Sequence, residues 1–109
     1  MAEKTMQTFQ AEIDAWVTGP GAGYWTPHQN VARIAEEVGE LARLVNHLYG
    51  PKPKKADEAK QELGEELADI VFAVICLANS EGIDLGERLE AVIAKVWTRD
   101  RERYVTQDT

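Results

Sequence analysis

Only one cysteine, Cys76, occurs in 109 residues, so an internal disulfide is excluded and a thiolate zinc site has no second sulfur. Cys76 lies inside the longest apolar run, residues 70–78, and reads as a small buried core residue in a reducing compartment. No histidine forms an obvious nucleophilic pair with it. The run is too short to span a bilayer, which needs about 20 residues. No basic segment followed by an apolar core stands at the N-terminus, so no signal peptide is expected and a cytoplasmic location is the reading. Positive charge is also scarce: 12 Lys and Arg stand against 19 Asp and Glu, for a formal charge of −7. That balance argues against nucleic-acid polymers and anionic membranes as partners, since both need a basic surface.

Other absences narrow the chemistry. No glycine-rich phosphate loop is present, which removes kinase-type and switch NTPases, and no calcium loop of alternating Asp and Asn appears. Neither His28 nor His47 has a glutamate three residues earlier, so the Glu-x-x-His pattern of di-iron bundles is missing. Strand-like alternation is nearly absent, whereas helical periodicity is strong. Met6, Phe9, Ile13, Trp16 and Val17 share one face of a helix expected near residues 3–18, which Gly19-Pro20-Gly21 ends. Thr26-Pro27-His28-Gln29 has the form of a capping box with proline at the first helical position. Val31, Ile34, Ala35, Val38, Leu41, Ala42, Val45 and Leu48 then form an apolar stripe up to Gly50-Pro51. Asp57 is expected to cap a third helix that stops at Gly82, and Asp84 to cap a fourth that ends near Tyr104. Residues 1–109 therefore read as a single all-α domain, a four-helix antiparallel bundle. The third helix is apolar around most of its circumference after Leu67, so a second copy is expected to cover it, giving a homodimer or homotetramer.

What the chain has in place of basic residues is paired acids. Glu36-Glu37-Val38-Gly39-Glu40 lies on the second helix and Glu66-Leu67-Ala68-Asp69 on the third. Residues three apart share a helix face, so Glu37 neighbours Glu40 and Glu66 neighbours Asp69. Glu37 falls within the edge of the apolar arc, Glu40 at its border and Glu36 further towards solvent. Asp69 opens the apolar run and is expected to be at least partly buried, where a carboxylate is costly unless it is paired or holds a metal. Antiparallel packing of the two helices brings the pairs together, and four carboxylates in one groove repel strongly without a cation. Hard oxygen ligands suit Mg²⁺, with Mn²⁺ as a substitute. A solvated charged face is the alternative, and it applies most readily to Glu36, Glu62 and Glu65.

Glu-Glu-x-x-Glu followed by Glu-x-x-Asp, in the settings Ala35–Ala42 and Glu65–Phe72, resembles the MazG family of nucleoside triphosphate pyrophosphohydrolases over about residues 26–104. The resemblance implies cleavage between the α- and β-phosphates of a nucleoside triphosphate, giving the monophosphate and pyrophosphate. It also implies Glu37, Glu40, Glu66 and Asp69 as Mg²⁺ ligands. Glu36 would either support the ligands from behind or help orient water, and Glu37 or Glu40 could accept the water's proton. Lys95, Arg99 and Arg103 form a basic stripe that can hold phosphate oxygens, or else pair with acidic neighbours along the helix. Lys54 and Lys55 can close over phosphates or remain a solvated loop. For the base, Trp25 offers a stacking face and Asn46 both donors and acceptors, with His47 beside it. Phosphoribosyl-ATP pyrophosphohydrolase of histidine biosynthesis carries similar acidic motifs and is the close alternative. A non-catalytic, cation-binding helical oligomer is the alternative of another class.

Overall fold

In the computed structural model, residues 3–50 and 56–107 are described, with side chains described over 3–50 and 59–99. Four helices follow one another: α1 (Met6–Thr18), α2 (Pro27–Leu48), α3 (Ala56–Ser80) and α4 (Leu85–Gln107). No strand occurs among the described residues.

Local chemistry sets most of the boundaries. Thr5 caps α1, its hydroxyl accepting from the Thr8 N–H at 3.1 Å, so the helix begins three residues later than the periodicity suggests. After α1 the loop folds back on the helix end: the Gly21 N–H donates to the Trp16 carbonyl at 2.8 Å and the Gly23 N–H to Val17 at 2.7 Å. A Cβ on Gly21 would lie 2.8 Å from the Trp16 ring, so this turn is glycine by close approach. Thr26 and Gln29 form the complete capping box, side chain to backbone in both directions at 3.2 and 3.0 Å. α3 starts at Ala56, which puts Asp57 inside the helix rather than at the cap expected from sequence. α3 ends in a left-handed Gly82 (φ 67°) with the Ile83 N–H donating to Ala78 and the Gly82 N–H to Asn79, a Schellman closure. Asp84 Oδ1 then accepts from the Glu87 N–H at 3.0 Å and starts α4.

α2 and α3 run antiparallel and make the closest helix pair, α1 packs on α3, and α4 departs from the α3–α4 turn with contacts to α1. The result is an open bundle. Its radius of gyration, 17.8 Å, exceeds the roughly 13 Å of a compact chain of this length.

The inward face of α2 runs Asn30, Ile34, Glu37, Leu41, Leu44, Leu48, at steps of four and three, with Asn30, Glu37 and Leu48 buried. This differs from the apolar stripe expected from sequence. Val31, Val38 and Val45, seven residues apart, are exposed at 55, 47 and 37%. The helix is turned so that two polar residues take central inward positions, something an apolar count cannot anticipate. Leu67, Val71 and Phe72 on α3 and Leu89, Val92, Ile93, Val96 and Trp97 on α4 are exposed as well.

One polar junction fastens α1 to the turn between α3 and α4. Buried Gln10 donates through Nε2 to Asn79 Oδ1 and to the Ile83 carbonyl, both at 2.9 Å, and accepts from the Leu85 N–H at 2.9 Å. Asn79 Nδ2 answers by donating to the Gln10 carbonyl at 2.9 Å. Gln10→Leu keeps the bulk but leaves these groups without partners, so it is expected to destabilise by about 2–3 kcal/mol in urea unfolding. Gln7→Leu, which removes an exposed bond to Asp84 at 3.0 Å, should cost under about 1 kcal/mol. Equal effects of the two changes would refute the importance of the junction.

Candidate active site

The inward step of α2 at Glu37 brings its carboxylate against α3. One carboxylate oxygen from each of Glu37, Glu40 and Glu66 lies within 4.8 Å of the other two. Glu37 is only 6% exposed. Its Oε1 accepts from Arg33 Nε at 2.8 Å, one turn earlier on the same helix. Its Oε2 is buried with no hydrogen-bond partner, and the same holds for Oε2 of Glu66. Burial pushes the Glu66 carboxyl above the ordinary glutamate range, and the charges of Glu40, Glu37 and Asp69 push it further in the same direction. Two buried oxygens without donors, in a cluster of three carboxylates, are what a hard divalent cation satisfies. The donor set therefore fits Mg²⁺ or Mn²⁺.

A cavity of about 270 Å³ opens between α1, α2, α3 and the α1–α2 loop. Trp16, Tyr24, Trp25 and Phe72 give it aromatic walls, Asn30, Ala73 and Cys76 also line it, and Arg33 and Asp69 link it to the acids. Trp16 and Phe72 meet edge to face, with centroids 6.4 Å apart. The Arg33 guanidinium lies 6.0 Å from the centre of the Trp25 ring. Asn30, buried, donates to the Trp25 carbonyl at 3.3 Å and so ties the loop to α2. The Tyr24 hydroxyl donates to Asp14 at 2.7 Å; burial, followed by that bond, pushes its pKa up to about 12. Burial also raises the Cys76 thiol, which keeps it protonated and argues against a nucleophilic role.

The residues singled out from sequence are placed unevenly. Glu37, Glu40 and Glu66 converge. Asp69 does not join the three-oxygen cluster, and the expectation that it is buried fails: it is exposed and lines the cavity. The cause is the open bundle, which leaves Leu67, Val71 and Phe72 around it uncovered too. Its charge still reaches Glu66. Glu36 and Glu65 are exposed and Glu62 is half-buried. Trp25 lines the cavity as expected of a stacking face, whereas Asn46 and His47 are exposed near the other end of α2 and do not line it. Lys95 and Arg99 are exposed on α4 and are not among the lining residues either. Lys54, Lys55 and the side chain of Arg103 lie outside the described residues. Sequence reasoning missed Arg33, Asn30, Tyr24 and Phe72. Two spacings carried a signal: Arg33 stands four residues before Glu37, and Asn30 seven before it.

Comparison with known proteins bears on the family and the fold. The MazG nucleotide pyrophosphohydrolase domain model matches residues 25–104. YpjD of Bacillus subtilis (strain 168) is 45% identical over 108 residues, covering 99% of this chain and 97% of that protein. YvdC of the same organism is 32% identical over 104 residues, covering 90% and 92%. The crystal structure of Bacillus subtilis YpjD superposes with a TM-score of 0.76 at 47% identity, covering 87% of this chain and 97% of that one. The crystal structure of a Bacillus-conserved MazG protein, a nucleotide pyrophosphohydrolase, gives 0.73 at 42% identity, covering 87% and 92%.

Because the folded-state carboxyl of Glu66 titrates above its unfolded range, the folded chain binds more protons between the two values. Stability in divalent-free buffer should therefore fall as pH rises through that window towards neutrality. Glu66→Gln is expected to flatten this slope and raise the Tm at neutral pH. Thermal melts across the acid range check it, and an unchanged slope in the variant would contradict the assignment.

Proposed function

The chain belongs to the MazG family of nucleotide pyrophosphohydrolases, and on that footing we propose that it hydrolyses ribo- or deoxynucleoside triphosphates to the monophosphate and pyrophosphate, with Mg²⁺ as cofactor. The observation that carries this reading is the buried, unpartnered Oε2 of Glu37 and of Glu66 in a carboxylate cluster that adjoins an aromatic cavity. Bound there, the cation would offset the triphosphate charge, polarise the attacked phosphorus and lower the pKa of a water. Glu37, Glu40 and Glu66 supply its ligands, with Asp69 as the fourth, at the rim next to the cavity. In this reading Glu36, exposed one residue before Glu37, helps orient the attacking water, and a carboxylate of the cluster accepts its proton. Water adds to phosphorus at the α–β bridge, and the bridging oxygen leaves with pyrophosphate. Trp25 provides a flat apolar face for a base, and the exposed rings around it exclude water from one side of the substrate. Clearance of noncanonical or excess nucleotides in the cytoplasm is the role that fits such an activity.

The same reading extends to assembly. The exposed valines of α2 and the apolar face of α4 are best covered by a second copy, as a homodimer or homotetramer. A partner copy would also shield Asp69 and could bring the basic stripe of Lys95, Arg99 and Arg103 to the phosphates.

Three experiments test these points. With Mg²⁺ and a panel of ribo- and deoxynucleoside triphosphates and phosphoribosyl-ATP, release of monophosphate and pyrophosphate is expected from a nucleoside triphosphate. Preferential turnover of phosphoribosyl-ATP would move the assignment to histidine biosynthesis, and no turnover at micromolar enzyme would end the enzyme reading. Asp69→Asn and Glu40→Gln should each lower kcat by roughly 10²–10³ with the helical circular dichroism intact. Light scattering behind a sizing column should give two or four times the single-chain mass, with Val38→Asp shifting the protein towards monomer. A monomeric wild type would refute the assembly.

A further inference from the structure

Arg33 has no role in the site as drawn so far, yet it touches both of its halves. Along α2 the order is Trp25 at the entry, then Arg33, then Glu37 one turn on and Glu40 one turn further, at about 1.5 Å of rise per residue. Among the described residues lining the cavity it is the only cationic side chain, and Asp69 is the only acidic one. Its guanidinium sits 6.0 Å from the Trp25 ring centre and donates from Nε to Glu37 Oε1 at 2.8 Å. That bond uses one of five donors, and the side chain is 48% exposed, so the terminal nitrogens have room for a ligand. The pairing with Glu37 also limits where the guanidinium can point.

We propose that Arg33 is a substrate-binding residue that holds the α-phosphate, the group joining a nucleoside in the aromatic cavity to the phosphates at the carboxylate cluster. The inference rests on the nucleotide reading above. A nucleotide with its base near Trp25 and its outer phosphates near Glu37 and Glu40 must pass its α-phosphate along the turn of α2 between them. Arg33 occupies that turn. Of the two charged side chains that line the cavity, Arg33 is the one that attracts a phosphate, while Asp69 is committed to the cation in this reading. A guanidinium can take two phosphate oxygens in a planar fork, a geometry lysine lacks.

Nucleoside monophosphates carry the α-phosphate alone, and pyrophosphate carries none, so the two product types separate the roles. Calorimetric titration of wild type, Arg33→Gln and Arg33→Lys in Mg²⁺ should use pyrophosphate and the tightest of a panel of ribo- and deoxynucleoside monophosphates. Arg33→Gln is expected to weaken the monophosphate about tenfold or more and Arg33→Lys by less, while pyrophosphate affinity and Mn²⁺ affinity stay within about twofold. The KM for the triphosphate should rise more than kcat falls. Unchanged monophosphate affinity in Arg33→Gln would overturn the assignment. So would an equal loss of pyrophosphate or Mn²⁺ affinity, which would make Arg33 a support for Glu37 and nothing more. A wild type that binds neither product would sink the nucleotide reading itself, and this inference with it.

Discussion

The placement of Glu37 on the buried face of α2 is the constraint on which the site depends. A carboxylate 6% exposed between two helices is unfavourable by itself, and one bond from Arg33 satisfies only one of its oxygens. The remaining oxygen, with the matching one of Glu66, sets up an electrostatic demand that an apolar core position would never create. α2 and α3 can pack this closely around charge because the ends of the pair are held by other means. Leu48 is buried at one end, and Ala73, Ile75 and Ala78 are buried towards the other. The stability of the helix pair is therefore carried away from its middle, which is left for chemistry.

Polar groups are used twice inside this small domain, with opposite consequences. At Gln10 both ends of the side-chain amide are bonded and Asn79 bonds back to the Gln10 carbonyl, so the junction fixes how α1 meets the α3–α4 turn. At Glu37 and Glu66 the bonds are deliberately incomplete. The first arrangement orients α1, and with it Trp16 and Val17 against α3; the second leaves lone pairs that a ligand can use. α1 is thus part of the site although it contributes none of the acids, because its end and the glycine turn after it build one wall of the cavity.

How much of this was legible in sequence follows from the range of each interaction. The Thr26–Gln29 box, the Gly82 stop and the Asp84 cap depend on residues three or four apart, and each is found where its motif stands. Convergence of Glu37, Glu40 and Glu66 needed one further step, the antiparallel pairing of α2 with α3 implied by a short connection. The register of the buried face was not legible. Counting apolar residues favours Val31, Val38 and Val45 as core, whereas the fold buries Asn30 and Glu37 and exposes those valines. Asp69 differs from expectation for a related reason: an apolar neighbourhood in sequence implies burial only if something covers it, and in the open bundle nothing among the described residues does. Asn30, Tyr24 and Arg33 were overlooked because a cavity wall is a property of three elements meeting, not of any one motif.

The exposed and buried faces of α2 then make opposite demands on the rest of the molecule. Seven-residue spacing keeps Val31, Val38 and Val45 in one line along the outside, the pattern of a helix that expects a neighbour. The inner line, four residues then three, carries Asn30 and Glu37 through the core instead. If a second copy covers the outer line, as proposed, the helix pair gains the apolar burial that its polar interior gives up. The charge of −7 opposes association only where acids face one another, and the valine line and the α4 face are apolar patches within the acidic surface. Assembly and cation binding would then relieve two different strains of one helix, association the exposure on its outside and the metal the crowded charge on its inside.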